Sequence, residues 1–165
     1  MSVSLSATGL GQLQRALEQA PAQATRALLT AMTRAVLLLQ REVMDSLPSH
    51  SGLTRASVGA DAFVQGAGVL GVVGSSQPVA AFLEFGTRPH MPPVQALEGW
   101  VRDKLGLNGA DARRVAFLVA RKIARKGAPA LKLFEKALAH NRGQINTLFE
   151  TACADLARQM NGGVA

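Results

Sequence analysis

Three histidines (His50, His90, His140), one cysteine (Cys153) and eleven carboxylates are the groups through which this 165-residue chain could do acid–base, nucleophilic or metal chemistry. A metal or a catalytic dyad needs its ligands at short, repeated spacings, and none of the histidines has a companion at such a spacing. A single cysteine excludes an internal disulfide and a multi-cysteine zinc site. Cys153 falls beside an apolar stripe of the last helical segment, where a buried, inert thiol is expected. The chain has no Gly-rich phosphate loop, no Gly-x-Ser-x-Gly elbow and no His-Glu-x-x-His helix. The sequence therefore predicts no enzyme, no cofactor and no metal; catalysis would have to run through His50 or His90.

Positive charge is the stronger chemical signal. The formal net charge is +7, yet residues 1–86 hold five bases and five acids, whereas residues 87–165 hold thirteen bases and six acids. Such an asymmetry points to nucleic acid, an anionic surface or an acidic protein partner. On a helix ending near Lys126, Arg114, Arg121 and Arg125 share a face distinct from the Val115, Val119, Ile123 stripe, with Lys122 at its edge. Those four residues could meet phosphates or an acidic protein, or simply stay solvated. Aromatic residues are 4% of the chain, with no Tyr, so a base-stacking surface is not expected. No helix-turn-helix or zinc-finger pattern accompanies the charge, which argues against base-specific reading.

The elements that must position these groups follow from periodicity. Leu28, Met32, Ala35, Val36, Leu39 and Val43 repeat at helical spacing, so a helix is predicted to open at Pro21 and to stop near Leu47, before Pro48. Leu37, Leu38 and Met44 lie off that stripe, so the helix is expected to be covered on more than one side, and Leu37 and Leu38 are candidates for a subunit contact. Residues 49–55 read as a polar loop. Alternation of Val58, Ala60, Ala62 and Val64 with their neighbours predicts a strand, and Val69–Gly74 a second, joined as a hairpin that the long helix covers. A short helical turn from Pro78 stops at Gly86. Pro89, Pro92 and Pro93 stiffen the loop that follows. Pro93 opens a helix carrying Val94, Leu97, Val101, Leu105 and Trp100, with Gly106 as its cap. Asp111 is placed to cap the basic helix and Gly127 to end it. A final helix carries Phe134, Leu138, Ile145, Leu148, Phe149, Ala152 and Leu156, with Gly143 as a potential break.

These segments describe one α+β domain: a long N-terminal helix packed on a small antiparallel β-sheet, with a mostly helical C-terminal half. Residues 1–20 would be an arm, 21–86 the helix and hairpin core, 87–160 the proline loop and helical half, and 161–165 a tail. The charge-free run Ala62–Leu83 is too rich in Gly, Ser and Pro for a membrane span. No secretory signal opens the chain, so an intracellular origin is expected.

Four stretches in order carry a family likeness. They are Pro48 with Ser51-Gly52-Leu53-Thr54-Arg55-Ala56-Ser57, then Phe82-Leu83-Glu84-Phe85-Gly86-Thr87, then Met91-Pro92-Pro93 leading to Trp100-Val101, and last Ala124-Arg125-Lys126-Gly127-Ala128-Pro129-Ala130. This order resembles the tail-completion, or head–tail joining, proteins of tailed bacteriophages, the group that includes the minor tail protein Z of phage lambda. The likeness spans roughly residues 21–140. Ser51 stands where the family more often has Thr, and Val79 or Ala80 where it often has an aromatic.

What the resemblance implies is a virion protein assembled in the bacterial host cytoplasm, forming a ring around the DNA channel at the neck. It would meet the tail terminator and the head-completion (stopper) protein, with sequence-independent contact to the genome in the channel. Sixfold symmetry would match tails of this kind. The family has no catalytic residues to transfer. Gly52, Leu53, Arg55, Glu84, Phe85, Gly86, Thr87, Pro92 and Pro93 would be architectural, Gly86 making a backbone turn and Phe85 anchoring its loop in the core. A ring needs head-to-tail contacts, for which Leu37 and Leu38 on one side and Trp100 on another are the candidates. The rival from another class is a small basic protein that binds nucleic acid without sequence preference.

Overall fold

The computed structural model describes residues 10–48, 52–66 and 68–162, with side chains from residue 21 to residue 160 within those stretches. His50 and Ser51, residues 1–9 of the expected arm and residues 163–165 of the expected tail lie outside the described residues. The chain order is α1 (Leu10–Ser46), α2 (Gly52–Ala56), β1 (Val58–Gln65), β2 (Gly68–Ser75), α3 (Pro78–Phe85), α4 (Val94–Leu105), α5 (Gly109–Lys126) and α6 (Leu133–Gly162). The strands form a two-stranded antiparallel sheet, so the fold is α+β with a long first helix and a helical C-terminal half. Among the described residues no helix is long and apolar enough to cross a membrane.

The first helix begins at Leu10 rather than at Pro21, which lies inside it. Proline removes one hydrogen-bond donor and crowds the preceding turn, a penalty of about 3 kcal/mol. Residues 10–20 offset it through high helix propensity, being rich in Leu, Gln and Ala. The region read as a loop over residues 49–55 also differs. Gly52–Ala56 makes one helical turn, closed by Ser57 N donating to Leu53 O at 3.1 Å and Ser57 Oγ donating to Thr54 O at 2.7 Å. A turn this short carries no hydrophobic period, which is why its pattern is not legible. Helix α6 runs without interruption through Gly143, and its Leu138 is exposed while the other members of its apolar stripe are half-buried.

The chain divides into two compact units. One contains α1 as far as Leu39, the hairpin from Ala60 to Val73, and α6 from His140. Here the alternation in the strands has its physical consequence: Ala60 and Ala62 of β1 and Val69, Gly71 and Val73 of β2 are half-buried, while Asp61, Phe63, Leu70 and Val72 are exposed. Gly71 is where the sheet approaches α1. A Cβ added there would lie 2.5 Å from both Met32 Sδ and Val36 Cγ1, so the hairpin packs on the predicted stripe of α1 through a position that has room for no side chain.

The other unit contains Gln40–Gly59 and Gly74–Ala139. Its apolar centre is the seam between α4 and α5, where Val101, Ala112 and Ala116 are buried and Val94, Leu97, Trp100, Leu107 and Val115 pack around them. Small alanines let the two helices approach closely. Gln40 Nε2 donates to Val58 O at 2.7 Å, tying the end of α1 to the start of β1. Gly106 caps α4 in the left-handed conformation, φ 66° and ψ 13°, as the sequence predicts. Helix α5 differs at its start: Asn108 holds the cap position without a side-chain bond, and Asp111 sits in the first turn rather than at the cap. A carboxylate there still complements the positive end of the helix dipole.

Candidate functional site

Stretches singled out in the sequence prove to be fasteners, and two of them converge. Helix α3 ends in Phe82-Leu83-Glu84-Phe85-Gly86-Thr87, and α5 ends in Ala124-Arg125-Lys126-Gly127-Ala128-Pro129-Ala130. Gly86 has φ 73° and ψ −174°, and Gly127 has φ 72° and ψ −177°. That backbone region is open essentially to glycine alone. Each glycine closes its helix through its own N–H, Gly86 to Phe82 O and Gly127 to Ile123 O. The two exits then run against each other. Thr87 N donates to Ala128 O at 3.0 Å, Ala128 N donates to Thr87 Oγ1 at 3.0 Å, and Leu131 N donates to Leu83 O at 2.8 Å. A Cβ on Gly86 would stand 2.6 Å from Ala128 O, and one on Gly127 would stand 1.9 Å from Thr87 O. Both glycines are thus required twice, by their dihedrals and by the approach of the opposing backbone.

Glu84 completes the junction. Its Oε2 accepts from Phe134 N at 2.8 Å and its Oε1 from Glu135 N at 3.1 Å. These are first-turn amides of α6, which lack partners within their own helix. The residue before α6 is Lys132, whose side chain has no acceptor and whose φ of 56° is unusual for a residue with a Cβ. A carboxylate fifty positions away in sequence therefore does the work that Ser or Asp normally does at a helix start. Lys132 turns outward and donates to both carboxylate oxygens of Glu135, at 2.8 and 3.0 Å, which raises its ammonium above the ordinary lysine range.

Arg55 acts in the same manner at a helix end. Helix α1 has no basic residue in its last turn, and Arg55 Nη2 approaches the carbonyl of Leu47, just past that helix, at 3.4 Å. A cation there complements the negative end of the dipole. Beside it, Thr54 is buried and the hydroxyls of Ser57 and Ser75 bond at 2.6 Å. The proline loop that follows Gly86 has no regular structure, and Pro93 is the cap residue of α4.

The apolar members of the same stretches face the other way. Phe85 is 82% exposed, which corrects the expectation that it anchors its loop in the core. The helix turn puts Ala80 inside, and residues at Phe85's angle then point outward together with Val79 and Phe82. Leu53 is 83% exposed. Of the positions read as subunit contacts, Leu37 is exposed, Leu38 is half-buried, and Trp100 packs on the Val101, Ala112, Ala116 cluster of its own unit.

Arg114, Arg121, Lys122 and Arg125 are all exposed on α5. Phe117 and Leu118, also exposed, lie among them and were not singled out in the sequence. Their offset from the alanine seam is the signal that would have found them. Of the catalytic candidates, His50 lies outside the described residues and His90 is exposed with Nδ1 2.9 Å from Arg88 O; His140 is exposed, and Cys153 is exposed rather than buried. The stripe beside Cys153 is half-buried, and one further step around the helix reaches solvent.

Comparison of the chain with protein-family models, curated proteins and solved structures returned no match. The functional reading therefore rests on the residues and on this junction.

Proposed function

We propose that this protein is a structural subunit of a tailed-bacteriophage neck, acting by assembly. Copies would close into a ring around the DNA channel and join tail to head between the tail terminator and the stopper protein. The observation that carries this reading is the division of labour within the signature stretches. Arg55, Glu84, Gly86, Thr87 and Gly127 fasten backbone and helix ends, while Leu53, Phe82 and Phe85 stand exposed at 83%, 54% and 82%. Exposed apolar residues held on a rigid frame suit contact with neighbouring subunits better than they suit a solitary soluble chain. Within that frame Arg55 and Glu84 are engaged at helix ends.

Virion production tests the proposal. Particles made without this protein should accumulate filled heads and finished tails that fail to join, and supplying the protein should restore infectivity. Normal infectivity in its absence would end the reading. Light scattering on the purified chain, with and without finished tails, tests ring formation directly.

A further inference from the structure

Helix α5 carries a basic face whose geometry sets it apart from ordinary surface charge. From Ala112 to Phe134 the chain has seven bases (Arg113, Arg114, Arg121, Lys122, Arg125, Lys126, Lys132) and no acid. At about 100° per residue, Arg114, Arg121 and Arg125 fall within a sector of about 40°. The buried seam of Ala112, Ala116 and Ala120 lies on the opposite side of the helix, so the three arginines point away from the unit's core. Their Cα positions span about 16 Å along the axis, enough to face two or three successive phosphates of one strand.

Neighbouring groups leave this face uncompensated. Arg113, off to one side, takes Glu98 at 3.7 Å. No ion pair is formed by Arg114, Arg121, Lys122, Arg125 or Lys126 among the described residues. Asp111 is the single acid on the helix and lies in its first turn, beside Arg114 only. Two shallow depressions flank the row, one holding Leu118 between Arg121, Lys122 and Arg125, the other holding Phe117 beside Arg114 and Gln95. Each sets an exposed apolar side chain beside guanidinium groups, a combination that suits the sugar-phosphate edge of a duplex.

We infer that this face of α5 binds the phosphodiester backbone of double-stranded DNA without reading its sequence, with Arg114, Arg121 and Arg125 as the phosphate contacts. The inference rests on the charge, placement and exposure of the α5 side chains and does not depend on the neck reading, which the particle experiment tests separately. Guanidinium groups suit bidentate contact with phosphate oxygens, and counterion release makes the affinity depend on salt.

The test is fluorescence anisotropy of the full chain with a labelled duplex of random sequence, titrated across salt concentration. The wild-type chain should bind at low salt. Replacing all three residues (Arg114→Ala, Arg121→Ala, Arg125→Ala) should weaken binding by about tenfold or more and reduce the salt slope by about 2 to 3. The corresponding Lys variant should keep most of that slope. Far-UV circular dichroism reports whether α5 remains folded; if the triple Ala variant loses helicity, Arg121→Ala alone carries the comparison, with a slope change of about one. Absence of duplex binding by the wild type, or an unchanged affinity and slope in the variants, would overturn the inference. So would tighter binding to polyglutamate than to the duplex, which would assign the face to an acidic protein.

Discussion

Glycine is chosen twice at the junction between α3 and α5, and the two reasons can be separated experimentally. Gly86 and Gly127 combine a backbone conformation that L-residues avoid with contacts of 2.6 and 1.9 Å from an added Cβ to opposing carbonyl oxygens. Gly106 also has a positive φ, but no atom lies within 4 Å of its Cβ position. Gly106→Ala should therefore lower stability by about 1 kcal/mol, the dihedral penalty alone. Gly86→Ala and Gly127→Ala should each cost about 3 kcal/mol or more, because backbone must also move. Urea denaturation of the three variants checks the order; equal losses would mean the close approach is unimportant. Glu84 gives a second residue-scale prediction. Glu84→Ala leaves two first-turn amides of α6 without their acceptor and should cost about 1–2 kcal/mol, whereas Glu84→Gln keeps one acceptor and should lose less. An exposed glutamate without this role would change stability by less than about 0.5 kcal/mol.

Elements meet here through small residues. The hairpin approaches α1 at Gly71, and α4 approaches α5 over Ala112 and Ala116. Gly71→Val would drive a branched side chain into Met32 and Val36, and thermal unfolding should show a loss of about 1–3 kcal/mol. The flexible Met32 absorbs part of the overlap, so Gly71→Ala should fall at the lower end of that range. Helix α3 shows the reverse situation. It is eight residues long, buries Ala80, and leaves Val79, Phe82 and Phe85 exposed. Replacing Phe82 and Phe85 by Ser should leave the midpoint of thermal unfolding nearly unchanged, within about 0.5 kcal/mol, since neither ring contributes to the buried core. A large loss would mean that both rings are covered within the chain.

At the scale of the whole molecule, the same double substitution tests assembly. If the α3 face meets a neighbouring copy, the Phe82→Ser, Phe85→Ser variant should sediment as a smaller species than the wild type under matched conditions while remaining folded. It should also fail to complement particles that lack the protein. A variant that is equally assembled and equally active would remove α3 from the subunit contact. The exposed outer face of the hairpin, with Phe63 and Leu70, offers an internal comparison, because it is apolar but lies outside the signature stretches. Substituting those two residues by Thr should affect assembly less than the α3 change.

Local pattern alone determined the body of the long first helix, both strands, the inward side of β1 as far as Ala62 and the glycine ends of α4 and α5, because each depends on residues within a few positions of one another; Val64, on the same alternation, is exposed. Local pattern placed the basic row on α5 for the same reason. Tertiary structure decided what the signature residues do. Glu84 is fifty positions from the amides it accepts, and Thr87 is forty-one positions from its partner Ala128, so no local pattern can report either bond. It also decided which apolar residues face outward: Phe85 and Leu53 look like core residues in composition, and only the placement of their backbone leaves them in solvent. The start of α1 was hidden because proline is a strong local signal, yet continuous helix on both sides of Pro21 outweighs it.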